Sequence, residues 1–185
     1  MTTAPAALHT PVWDYAAVAA FDRSTEDALL IERSPLPEVA GAMRAARVHD
    51  WRSSVNAADI NGKVAAGLAA LGLDCPPLAA DIATVARSFL AQFAAPAASL
   101  RIEVVTTSTC PKFHCDNIRV RVVATYHGPG TEYVATAAPG DVRAAPTGAL
   151  LFLKGHKHPT HADAVLHRSP TVPAGEKRLC VVLDI

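Results

Sequence analysis

The sequence predicts an α+β fold in which helices cover the outside of a barrel-like sheet. Three observations carry this. The first half of the chain holds stretches with helical periodicity. From Ser99 onward the texture changes to short runs rich in β-branched residues, bounded by Gly and Pro. The order is mostly helices first and strands afterwards, not an alternation of the two. At 185 residues the chain suits one domain with a proper core. The apolar share of 50% is inflated by alanine, and aromatics make up only 5%, so that core is leaner than it sounds. We divide the chain into an N-terminal arm, residues 1–24, and a single domain, residues 25–185, whose N-terminal half is helical.

Taken in order, residues 1 to 12 read as a loose arm of Thr, Ala and Pro. Trp13 to Phe21 suits a short helix. Asp27 to Arg33 reads as a buried strand, stopped by Ser34-Pro35-Leu36-Pro37. Pro37 fits the first turn of a helix running to Arg47, with Val39, Met43 and Ala46 on its apolar face. Asp50 to Asn56 is ambiguous between turn and strand. Asn56-Ala57-Ala58-Asp59 starts a helix that continues from Lys63 to Leu71 and stops at Gly72. Pro76-Pro77 breaks the chain. A longer helix follows from Leu78 to Phe93, where Ile82, Val85, Phe89 and Phe93 recur at spacings of three and four.

Leu100 to Thr107 alternates as a strand does. Ile118 to Tyr126 alternates too, with Ile118, Val120, Val122 and Ala124 on one face and Arg119 and Arg121 on the other. His127 to Gly130 is a turn. Thr131 to Thr136, Ala149 to Lys154, Val165 to His167 and Arg178 to Asp184 complete a set of about eight strands.

Composition excludes several function classes. Lys+Arg and Asp+Glu balance at 17 each, which argues against nucleic acid, since that needs a basic face, while leaving room for a local basic pocket for an anionic substrate. No apolar run approaches the ~20 residues of a membrane span. The first residues show no basic segment followed by an apolar one, so a secretory signal is not expected and the cytoplasm is the default. There the four cysteines read as free thiols or ligands, not disulfides. No G-x-S-x-G elbow, P-loop or G-x-G-x-x-G is present.

The chemistry gathers at Thr109-Cys110-Pro111-Lys112-Phe113-His114-Cys115-Asp116-Asn117. In extended chain residues i and i+2 share a face, so His114 and Asp116 converge while Cys115 points away. One further histidine would complete a facial two-histidine, one-carboxylate set of the kind that holds iron(II) with positions left open. His167 is the candidate, 167 − 116 = 51 positions after Asp116. Zinc accepts the same ligands. Arg178 follows His167 after ten residues and heads the apolar run to Ile185. Cys75 and Cys180 read as small buried hydrophobes. Cys110 and Cys115, with His114, form C-x3-H-C, which suits a soft metal, although adjacent strand residues face opposite ways. His156, His158 and His161 form an H-x-H-x2-H cluster, which suits a metal-collecting lip but is read first as a solvated loop beside the site, with His158 able to touch substrate.

H-x-D, a gap of about fifty residues, then H-x10-R resembles the iron(II)/2-oxoglutarate-dependent oxygenases, which have a double-stranded β-helix (cupin-like jelly-roll) fold. More narrowly, Cys110-Pro111-Lys112-Phe113-His114 with Asp116-Asn117, Gly128-Pro129-Gly130-Thr131-Glu132, Leu153-Lys154-Gly155 and His167-Arg168-Ser169-Pro170 is similar to an uncharacterised bacterial family, domain of unknown function eighteen-twenty-six. The oxygenase resemblance implies a dioxygenase that uses iron(II), 2-oxoglutarate and O2 to oxidise a C–H bond of a small molecule. His114, Asp116 and His167 would be its metal ligands. Arg178 would grip the far carboxylate of 2-oxoglutarate, and Tyr126 or Ser169 would add a hydroxyl to it. Arg119, Arg121, Lys154, Arg168 and His158 are candidate substrate contacts. The alternative is a zinc-binding or zinc-homeostasis protein of the same fold without turnover. A third is a barrel scaffold with a structural metal that binds partners. A homodimer is compatible with any of these.

Overall fold

The computed structural model describes residues 13–185. The loose arm expected over residues 1 to 12 lies outside them. The elements run α1 (Tyr15–Arg23), β1 (Ala28–Ile31), α2 (Pro37–Ala42), β2 (His49–Val55), α3 (Ile60–Ala70), α4 (Pro76–Gln92), β3 (Ala98–Val105), β4 (Val120–His127), β5 (Glu132–Ala135), β6 (Arg143–Ala144), β7 (Leu150–Lys154), β8 (Val165–Arg168) and β9 (Arg178–Asp184). They form a mixed fold with two antiparallel sheets. One has six strands in the order β1-β7-β4-β9-β3-β2, and the other has three in the order β6-β5-β8.

Strand alternation decides how the layers stack. Leu100, Ile102 and Val104 of β3, Val120, Val122 and Ala124 of β4, and Leu179, Val181 and Leu183 of β9 share one face of the large sheet. They join Ile82, Ala86 and Phe89 on the apolar face of α4, and Phe93 just past its end, in a single core. Trp13 packs edge-on to Phe152 of β7, and α1 adds Val18 and Phe21 to the same core. The intervening residues Arg101, Glu103, Arg121, Val123, Arg178, Cys180 and Val182 take the opposite face. That face is half apolar and half polar. Val123, Leu151, Leu153, Cys180 and Val182 make a second, smaller core with Tyr133 of β5 and Val165 of β8. The arginines and acids line a cavity beside it.

Several local expectations are corrected. The ambiguity over residues 50–56 resolves as strand through Val55, because β2 pairs with β3 in unbroken register from His49↔Val104 to Val55↔Ala98. Pro76-Pro77 does not break the chain. It opens α4, since proline is tolerated in a first helical turn. The helix from Pro37 stops at Ala42 instead of reaching Arg47; turns follow, and the carbonyls of Met43 and Ala46 accept from Lys177 Nζ. β4 begins at Val120, two residues later than its alternation suggested. β6 has only two residues, too few to leave a pattern. Among the described residues no helix is long and apolar enough to cross a membrane.

Candidate metal centre

His114 and His167 face each other as an isolated antiparallel bridge. Each backbone N–H donates to the other's carbonyl at 3.0 Å. Directly opposed residues of such a pair put their side chains on one face, and the two rings lie 4.5 Å apart. On its other side β8 pairs with β5, placing His167 across from Tyr133. The segment carrying His114 is therefore attached to the edge of the small sheet. Asp116, two residues on, shares the face of His114. Its Oδ2 lies 2.9 Å from His167 Nε2, and its Oδ1 lies 3.7 Å from His114 Nε2. Donor atoms of His114, Asp116 and His167 all fall within 4.8 Å of one another.

Backbone contacts hold this segment from two sides. Ser169 N–H donates to the Cys110 carbonyl, and Thr109 and Ser169 share a hydroxyl contact at 2.9 Å. His156 N–H donates to the Asp116 carbonyl, Lys157 N–H to Ile118, and Gly155 N–H to Arg119. Gly155 is required here. A Cβ at that position would stand 2.3 Å from the Ile118 carbonyl oxygen and 2.6 Å from that of Asp116.

The electrostatics suit a cation. Burial, only partly offset by Asp116, pushes the His167 imidazole below its ordinary value, so it is neutral at pH 7 and offers a lone pair. Burial alone would raise the Asp116 carboxyl. The hydrogen bond with His167 and the charge of Arg121 outweigh it and hold the group down at about 2. Arg121 is gripped bidentately by Asp184 at 2.7 and 2.8 Å, and its Nη1 reaches both Asp116 Oδ2 and, at 3.3 Å, His167 Nε2. A positive group thus already sits against the Asp116 carboxylate and beside the His167 ring. Cys110 Sγ lies 3.6 and 3.8 Å from the ring nitrogens of His114.

The three donors open on a cavity of about 330 Å³, a size that takes a small ligand. Five arginines (52, 101, 121, 168 and 178) line it against three carboxylates (50, 103 and 116), while Asp184 and Glu132 pair with Arg121 and Arg168 from beside the lining. Arg178 is on that wall but is not a free cation. Its Nε donates to the Pro129 carbonyl, its Nη2 to Thr125, Thr131 and Cys180, and its Nη1 to Glu103 at 3.4 Å. Ser169 lines the cavity. So does Arg168, which pairs with Glu132 at 2.6 Å and lies over the Phe113 ring.

Four candidates stand elsewhere. Tyr126 is on the helix-covered face and donates to Asp81, because even-numbered residues of β4 point there. Arg119 precedes β4 and turns to the Phe93 carbonyl and Asp22. Lys154 donates to the Ser24 carbonyl and Thr160, and His158 meets Asp22; neither lines the cavity. Cys180, read as apolar core, borders the cavity and accepts from Arg178. Glu103, Arg101 and Asp184 were not singled out from the sequence. The available signal was their polarity at alternate positions of otherwise apolar strands.

The family model described as Protein of unknown function (DUF1826) matches residues 2–184. This chain belongs to that family. No curated protein matches the DUF1826 chain by sequence. Among solved structures it is similar to a rice dioxygenase for auxin oxidation, with a TM-score of 0.58 and 14% identity, over 92% of this chain and 77% of that one. It is also similar to a Pseudomonas putida prolyl-4-hydroxylase, with a TM-score of 0.51 and 14% identity, over 92% and 97% of the two chains. At such identities the likeness is one of fold. The DUF1826 chain thus shares its architecture with oxygenases.

Proposed function

We propose that this DUF1826 protein is a non-haem iron(II)/2-oxoglutarate-dependent oxygenase acting on a small molecule, with residues 25–185 as one metal-binding domain and its two sheets forming a double-stranded β-helix. One observation carries the reading. Two imidazoles and one carboxylate, from separate stretches of chain, converge on a cavity rich in arginine. This donor set fits iron(II), since it offers two nitrogens and one oxygen and leaves positions for further ligands. His114, Asp116 and His167 would hold the ion. When bound, iron(II) with 2-oxoglutarate and O2 supplies oxidative decarboxylation coupled to oxidation of a C–H bond.

The chain's own residues bind, orient and exclude water. Arg121 keeps Asp116 ionised and fixes its carboxylate plane, as residues behind metal ligands do. Arg178 would pair with a carboxylate of the 2-oxo acid, with the Thr131 hydroxyl beside it and Ser169 nearer the metal ligands. Arg52, Arg101 and Arg168 suit the cavity to an anionic substrate. The test is succinate release from 2-oxoglutarate by protein loaded anaerobically with iron(II) and then given O2. Wild type is expected to turn over. Asp116→Ala and His167→Ala are expected to fall by at least ~100-fold, as loss of a ligand exceeds the 10–100-fold typical of its supporting partners. Wild-type-like rates in both variants would sink the reading.

The ion pair of Glu103 with Arg178 favours a second reading, in which zinc sits on the same three ligands and no 2-oxo acid binds. Tight zinc at His114, Asp116 and His167 with no succinate under any metal would select it.

A further inference from the structure

The segment that carries His114 and Asp116 has a second face, and Cys115 points from it. We propose that Cys115, His156, His161 and Asp163 form a second metal site, a four-ligand zinc(II) centre of structural type, at the back of the His114–Asp116 segment. The proposal is independent of the oxygenase reading.

Cys115, His156 and His161 offer donor atoms that all lie within 4.8 Å of one another. Cys115 Sγ is 3.8 Å from His161 Nε2. Asp163 Oδ1 is 2.9 Å from the same nitrogen and 3.7 Å from His156 Nδ1. Zinc–sulfur bonds of ~2.3 Å and zinc–nitrogen or –oxygen bonds of ~2.0–2.1 Å set the edges of a tetrahedron at roughly 3.3–3.6 Å. The separations of 2.9, 3.7 and 3.8 Å lie on either side of that range; Cys115, His156 and His161 need to close in from within 4.8 Å, and Asp163, whose side chain is exposed, completes the set by turning toward Cys115.

The environment of His161 is the independent observation. Its Nδ1 is buried without a hydrogen-bond partner, 3.3 Å from Asp27 Oδ1. Asp27 is itself buried, its carboxylate fixed by the N–H groups of Ala162 and Ala164. The ring therefore stands between two carboxylates, Asp27 at Nδ1 and Asp163 at Nε2. A neutral imidazole donates to only one of them and meets the other lone pair to lone pair. A second ring proton would remove that conflict, and so does a cation held between Nε2, Oδ1 and Sγ; only the cation also engages the Cys115 sulfur and the His156 ring gathered at the same point. It leaves Nδ1–H for Asp27, the carboxylate–histidine–metal relay that fixes a ligand's tautomer and plane.

Thiolate, two imidazoles and one carboxylate select zinc over the hard oxygen-seeking cations. Thiolate and carboxylate together neutralise a divalent ion. Four protein ligands leave no open position, so the site is structural. It would clamp residues 155–163 to Cys115 and thereby fix the side from which His114 and Asp116 reach the cavity.

The test is titration of the chelator-treated full-length protein with cobalt(II). Up to two equivalents, enough to fill the His114–Asp116–His167 site as well, are expected to give a thiolate-to-cobalt charge-transfer band in the near ultraviolet with tetrahedral-type visible absorption, and zinc(II) should displace it. His114→Ala should retain the band. Cys115→Ser should abolish it, and His156→Ala and Asp163→Asn should weaken binding by at least ~10-fold. His156 and Asp163 have exposed side chains, so those two variants decide the matter even where the cysteine variant folds poorly. Absence of a thiolate band in wild type, or a band that persists in Cys115→Ser, overturns the proposal. So does a band lost in His114→Ala but kept in His156→Ala, which would assign the thiolate to the cavity side through Cys110.

Discussion

Burying Arg178 beside Glu103 takes two charges out of water together. Both side chains are about 2% exposed, and Glu103 Oε2 has no hydrogen-bond partner. Removing one partner of such a pair leaves the other uncompensated, at a cost of roughly 3–5 kcal/mol. Arg178→Met should therefore destabilise the chain by about that much in urea unfolding. Adding Glu103→Gln should restore most of the loss, and a double variant no better than the single one would show that the pair is not coupled. Asp116 makes a prediction of opposite character. Its folded value of about 2 lies below the ordinary 3.8. A carboxyl depressed by folding contributes stability that is present above its unfolded value and lost as pH falls through its folded one. In the metal-free protein, wild type should exceed Asp116→Asn by up to about 2 kcal/mol at pH 6, since a tenfold change in proton affinity corresponds to about 1.4 kcal/mol. The gap should close between about pH 4 and pH 2. Urea unfolding with chelator present measures it, and a gap constant with pH refutes the attribution.

At the scale of elements, the support of the triad lies in how residues 155–157 lie against residues 116–119. Gly155→Ala forces a methyl against two backbone oxygens that have nowhere to retreat. It is expected to cost about 1–3 kcal/mol. Because one of those oxygens belongs to Asp116, iron(II) affinity should fall with it. Thermal unfolding and metal titration of the same variant check both effects. The elements also divide by how far they could be read in advance. β3 and β9 declare themselves because their alternation is internal: Leu100, Ile102 and Val104 against Arg101 and Glu103, Leu179, Val181 and Leu183 against Arg178 and Cys180. β2 does not, because its residues become strand only by pairing with β3, far along the chain. His114 and Asp116 are legible as H-x-D, since period two puts both on one face. The role of Arg121 was hidden. It depends on the register that sets Arg121 opposite Asp184, and register is a property of two strands, not of either sequence. Tyr126 was misplaced because assigning its alternation to the helix side needs the whole sheet in view.

For the whole molecule, the two faces of the large sheet carry separate tasks. The helix side is one apolar core from Trp13 to Leu183, interrupted by the polar contacts of Tyr126, Asp81 and Arg33. The other side is divided between a small apolar core and a charged cavity. The α+β class and the sequence of helices before strands were readable from composition and periodicity. The convergence of residues 114, 116 and 167 was not forced by either. It follows from one pair of backbone hydrogen bonds that joins a loop to a strand edge.

The large sheet ends on β2, and that border is guarded. Asp50 and Arg52 pair with each other at 2.6 Å along the strand and remain well exposed. A foreign strand seeking to add itself there would have to strip water from both charges while gaining only main-chain bonds. Natural sheets discourage stacking into fibres by the same means. The border can therefore stay accessible beside the cavity mouth, where Asp50 and Arg52 also stand, without becoming a seed for aggregation.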